Sequence, residues 1–119
     1  YFFKNYVLAD SAYAMTAKLA PTYAMAYLWR GRSNLQLDLK KVDWSAKPHY
    51  EKMIETVPVE ERKGPYMPFI IEAAKYLGDY YVNSKEKNLP KAKEYWGLVR
   101  ELDPKDKQAA AFFASPLGK

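Results

Sequence analysis

Few residues of this 119-residue chain carry side chains that could do chemistry, and those few lack partners of the right kind. The single histidine, His49, could move a proton or hold a metal. Either task needs a second ligand or an orienting group, and the chain has no other histidine and no cysteine. Beside Tyr50 and Glu51 it reads as a surface histidine on a helix. Two acidic pairs, Glu60-Glu61 and Glu72 with Asp79, have the composition for acid–base work. Glu60-Glu61 adjoins Arg62-Lys63 in a proline-rich stretch, the pattern of a solvated charged loop. Glu72, Lys75 and Asp79 stand at helical spacings where surface ion pairs form. No glycine-rich phosphate loop, nucleophile elbow or His-Glu-x-x-His pair is present. The expectation is a protein that is not an enzyme, with no catalytic residue, no cofactor and no metal.

The elements that hold these residues follow from periodicity. Tyr6, Ala9, Tyr13 and Ala17 fall on one stripe of a helix over Lys4–Leu19, which Pro21 ends. Tyr23–Leu37 and Ser45–Val57 are a second and third helix, Pro48 being tolerated in a first turn. Tyr66–Asn83 is a fourth, and Asn88 caps a fifth that runs to Leu102. Asp103-Pro104 has the form of an N-cap and first helical residue for a sixth, ending before Ser115-Pro116. No stretch alternates like a strand, and no hairpin turn signal appears. The chain is all-α.

Composition sets the remaining bounds. With 49% hydrophobic and 28% charged residues, the chain can build a core and is not disordered. Eleven tyrosines suit helix seams with one wet edge. The net charge of +5 is spread out, Lys40-Lys41 and Arg62-Lys63 being the adjacent basic pairs, so a solvated surface is favoured over a nucleic-acid footprint. No uncharged run is longer than Leu19–Trp29, which is too short to span a bilayer. The chain opens on Tyr1-Phe2-Phe3 without a methionine, which reads as a piece of something longer.

Three segments share a small residue followed four positions later by an aromatic: Ala9 and Tyr13, Ala46 and Tyr50, Ala92 and Trp96. Leu19-x-Pro21 and Leu102-x-Pro104 follow two of them at one offset. Gly31 and Gly78 occupy matching places in the intervening helices. Small residues let paired helices approach, and the aromatic fills the hole that is left. These residues resemble the tetratricopeptide repeat family, whose unit has about 34 residues. Leu77-Gly78, Tyr81, Ala92, Trp96 and Pro104 match it best. In the preceding unit Tyr27, Gly31, Ala46 and Tyr50 match, while Arg30 and Asn34 replace a leucine and a tyrosine. The resemblance implies a right-handed superhelical stack of antiparallel helix pairs, an α-solenoid. Its divisions are a half repeat at 1–21, a repeat at 22–57, a proline-rich connection at 58–68, a repeat at 69–103 and a C-terminal helix at 104–114. Two spacings depart from the pattern. Ala9 and Ala46 lie 37 residues apart, and Ala46 and Ala92 lie 46 apart, with most of that excess in Thr56–Phe69.

In this family, helix A residues line a concave groove that takes a peptide or a helix of another protein. Carried over position by position, the groove is Met25, Leu28, Trp29, Arg32 and Gln36, then Glu72, Lys75, Tyr76, Asp79 and Asn83. Trp29 and Tyr76 hold equivalent positions, each readable as a partner's anchor or as packing. A chaperone-type carboxylate clamp is disfavoured, because its Asn position is Trp29 and its Lys and Arg positions are Glu72 and Tyr76. The resemblance therefore implies a protein-interaction scaffold. Packing on the parent chain or self-association is the alternative, and an RNA-binding repeat is the third reading. It leans toward a bacterial cell envelope over the cytoplasm.

Overall fold

A computed structural model describes residues 2–118, so Tyr1 lies outside the described residues. Six α-helices follow one another: α1 (Phe2–Leu19), α2 (Ala24–Leu37), α3 (Lys47–Thr56), α4 (Met67–Asn83), α5 (Leu89–Leu102) and α6 (Lys107–Ala114). A short 3-10 turn, Val59–Glu61, lies between α3 and α4. The chain divides into two compact units, 1–58 and 59–119. In the first, α2 packs against both α1 and α3; in the second, α5 packs against both α4 and α6.

The paired helices approach through their glycines. A methyl group on Gly31 would fall 2.8 Å from Cδ1 and Cε1 of Tyr50. One on Gly78 would fall 2.5 Å from Nε1 of Trp96. The Tyr50 ring of α3 and the Trp96 ring of α5 therefore lie in the space that a side chain on α2 or α4 would occupy. In the first unit Tyr50, Leu28 and Met53 are almost fully buried, and in the second Tyr81, Ile70, Leu77 and Val99 are. Phe112 extends the second core by stacking on Trp96 at 5.8 Å, which seats α6 on α5.

Helix ends follow local chemistry. Asn88 caps α5, its side chain accepting from the Lys91 N–H at 3.1 Å. Pro48, Pro68 and Pro90 each stand in a first turn, where a missing N–H costs nothing. After α1, the Tyr27 hydroxyl donates to the Pro21 carbonyl at 2.9 Å and ties the turn to α2. The last helix corrects the sequence reading, because it starts at Lys107 and not at Pro104. Asp103 instead ends α5, its N–H donating to Val99 O at 2.8 Å. Asp106 is the N-cap, accepting from the Ala109 N–H at 2.9 Å.

The two long spacings resolve differently. Residues 38–46 form a loop organised by one carboxylate: Asp38 accepts from the N–H groups of Val42, Asp43 and Ser45 at 2.9, 3.4 and 3.2 Å. Lys41 and Trp44 take left-handed backbone there, with φ of 55° and 54°. The Thr56–Phe69 stretch folds as the 3-10 turn followed by consecutive turns up to Met67.

Candidate binding surface

The helix A residues expected to meet a partner divide by burial. On α2, Leu28 is fully buried and belongs to the core. Met25 and Trp29 are half-buried, and Arg32 and Gln36 are exposed. On α4, Tyr76 is only 7% exposed, whereas Glu72, Lys75 and Asp79 are half-buried and Asn83 is exposed. Leu28 and Tyr76 thus contribute to packing within the chain, which leaves eight of the ten with surface to offer.

Trp29 has aromatic neighbours that periodicity did not specify. Its ring lies 5.2 Å from Tyr13 of α1, tilted by 37°, and 6.2 Å from Tyr23 in an edge-on arrangement. Such geometries follow the ring quadrupoles and hold the rings with little freedom. Trp29 therefore packs on the preceding helix and still keeps part of its surface open. Tyr23, 39% exposed, continues the aromatic patch outward.

On α4 the polar residues are tied down. Lys75 Nζ lies 2.6 Å from Asp106 Oδ2, joining α4 to the N-cap of α6. Burial alone would raise the Asp106 carboxyl. The Lys75 hydrogen bond, the Ala109 N–H, the Lys75 charge and the Gln108 N–H outweigh it and hold the group below its ordinary value. Asn83 donates to Asp79 Oδ1 at 2.6 Å, one turn back on the same helix.

The unexpected feature is a polar cluster inside the first unit. Arg30 donates to both carboxylate oxygens of Asp10 on α1, at 2.8 and 3.3 Å, and Asn34 donates to Asp10 at 2.9 Å. Arg30 and Asn34 are the two residues that replace apolar positions of the repeat pattern. Two polar residues one turn apart on a buried stripe demand a partner, and that was the available signal. Burial would raise the Asp10 carboxyl, but the Arg30 hydrogen bond and charge, with His49 and Asn34, bring it below its ordinary value. His49 is half-buried near this cluster and is not the surface histidine that its neighbours suggested. Burial lowers its pKa, the Arg30 charge adds to that, and Asp10 opposes it.

Among the described residues, no three His, Asp or Glu side chains converge as metal ligands would. No described helix is long and apolar enough to cross a membrane.

No family model matches the chain. No curated protein matches it either. Among solved structures it is similar to the C-terminal part of a TPR repeat-containing protein from Cytophaga hutchinsonii, with 36% identity and a TM-score of 0.78. That likeness covers 91% of this chain and 40% of the other, so the chain spans less than half of the structure it resembles. With its phased glycine–aromatic pairs, the chain is an all-α, solenoid-like repeat fragment. Its repeats are of the tetratricopeptide type. Folds of this type present surfaces for protein–protein interaction and are typically non-catalytic.

Proposed function

We propose that this chain is a non-catalytic scaffold whose helix A faces bind a peptide or helix of another protein. The observation that carries the reading is Trp29, held by Tyr13 and Tyr23 yet half open, with Arg32 exposed one turn further along α2. Rigid aromatics beside an arginine are the usual anchors of protein interfaces, since they bury much area and lose little rotamer freedom. Met25 and Gln36 extend that face. In the second unit, Glu72, Lys75, Asp79 and Asn83 give the α4 face a mixed polar character of its own.

The test is a pull-down with the chain as bait beside a Trp29→Ala/Arg32→Ala variant of unchanged helicity. Partners captured by the first bait and lost from the second support the α2 face. Equal recovery by both would sink it.

A second reading has its own observation. Val7, Leu8, Met15 and Leu19 on α1 are all more than half exposed, Leu19 at 79%, and helical spacing puts Leu8, Met15 and Leu19 on one apolar stripe. Such a face favours self-association, the form of the second reading that sedimentation can test, beside packing on the parent chain. Sedimentation of the chain beside a Leu8→Gln/Met15→Gln variant separates the readings. A dimer that the variant dissolves supports self-association, and a monomer at high concentration removes it.

A further inference from the structure

The proline-rich connection has no counterpart in the repeat pattern, and the helix A faces make no use of it. It nevertheless builds a cleft within the second unit. Val59 and Glu60 of the 3-10 turn, with Arg62 and Lys63 after it, face Leu98, Glu101 and Leu102 of α5 across about 260 Å³. Sites for whole small-molecule ligands run to about 300–1,000 Å³, so this cleft suits one or two side chains and not a cofactor. Its turn is held by backbone hydrogen bonds from Arg62 to Val59 at 3.2 Å, Gly64 to Glu61 at 3.1 Å and Met67 to Gly64 at 3.0 Å.

Two features of the lining point to a ligand. Val59, Leu98 and Leu102 are apolar, so part of the occupant is aliphatic. Arg62 Nε is shielded from solvent and meets no acceptor among the described residues, Glu60 and Glu101 included. A guanidinium donor without an acceptor is unfavourable, so little is lost when that side chain turns toward an anion in the cleft. Its planar fork matches a carboxylate.

We propose that this cleft docks an acidic segment of a partner protein. One carboxylate takes up the Arg62 guanidinium, and an adjoining aliphatic side chain rests on Val59, Leu98 and Leu102. Glu60 and Glu101 set the charge it accepts. Two negative charges balance Arg62 and Lys63, so the lining offers a polyanion no net positive field, and a carboxylate is held only where it meets the Arg62 guanidinium directly. This site is separate from the α2 face and does not depend on that reading.

NMR on the intact chain tests it through the Arg62 Nε–H signal and the Leu98 and Leu102 methyl signals. The probes are acetyl-Leu-Glu-Leu-amide, its glutamine counterpart and a uridine hexanucleotide. The expected result is a saturable shift of all three signals by the glutamate peptide. The glutamine peptide should bind about tenfold more weakly, the factor that one charge-assisted hydrogen bond supplies. Arg62→Gln should weaken the glutamate peptide by a similar factor and remove the difference between the two peptides. Glu101→Gln, which leaves Arg62 in place, should tighten it, and Trp29→Ala/Arg32→Ala should not alter it. Equal response to both peptides, no saturable shift, weaker binding by Glu101→Gln or a stronger response to the oligonucleotide would each overturn the proposal.

Discussion

Asp10, Arg30 and Asn34 show how two departures from a repeat pattern can be one event. A leucine and a tyrosine at positions 30 and 34 would withdraw the guanidinium and the amide that meet the Asp10 carboxylate. The arginine and asparagine instead supply three donor contacts to it. The pair is only partly buried, with the Arg30 and Asp10 side chains 28% and 21% exposed, so its net contribution is modest. Removing one partner is a different matter, because the other is left half-buried and unmatched. Arg30→Leu is therefore expected to destabilise the fold by about 1–3 kcal/mol. With Asp10→Ala already present, the same change should cost less, with a coupling of about 0.5–3 kcal/mol. Urea unfolding of the four chains measures this, and strictly additive effects would show that the cluster is not a unit.

The glycine–aromatic seams are the element-scale feature, and they reverse an ordinary expectation. Alanine in place of glycine inside a helix normally stabilises by about 1 kcal/mol. At Gly31 and Gly78 the added methyl would overlap the Tyr50 and Trp96 rings. Gly31→Ala and Gly78→Ala should therefore destabilise by about 1–3 kcal/mol, the range for overpacking. Trimming the opposing ring, as in Gly78→Ala/Trp96→Leu, should reduce the penalty of the alanine. Thermal unfolding decides it, and a raised Tm for either single variant would contradict the seam. These seams were legible in the sequence because a small residue and an aromatic recur at fixed phase. Helix positions were legible for the same reason, since periodicity reports which face is buried. Long-range polar pairing was not, because nothing in the spacing of α2 says that Asp10 will face it. The start of α6 was missed for a local reason. Asp103 and Asp106 both qualify as caps, but Asp103 is consumed in closing α5, and its side chain accepts from the Lys105 N–H. Repeat position alone puts Leu28 and Tyr76 on a binding face, because it cannot distinguish the core-facing edge of a helix from its open edge.

At the scale of the molecule, four shifted groups, His49, Asp10, Asp38 and Asp106, respond to acid in one direction. His49 is held below its ordinary value of 6.5, by burial first and then by the Arg30 charge. The unfolded chain therefore binds that proton more readily, and stability falls as pH drops through 6.5 toward the folded value. Asp10, Asp38 and Asp106 are held below 3.8; burial opposes this in each, and their hydrogen bonds outweigh it. Their stabilisation is present above 3.8 and is lost as pH falls through the lower folded values. The Tm should thus decline in two stages, near and below pH 6.5 and again below about pH 4. Replacing His49 with glutamine should remove the upper stage alone. Circular dichroism melts across that range check the claim, and an unchanged upper stage in His49→Gln would refute it. The seam that buries Trp96 has a practical corollary for such melts. The chain has three tryptophans, and Trp96 is the one that belongs to residues 59–119, where it is 9% exposed between Gly78 and Phe112. Trp29 and Trp44 belong to residues 1–58 and are more open to solvent. With those two changed to phenylalanine, a red shift in the remaining emission would time the exposure of the second seam, separately from whatever the first unit does.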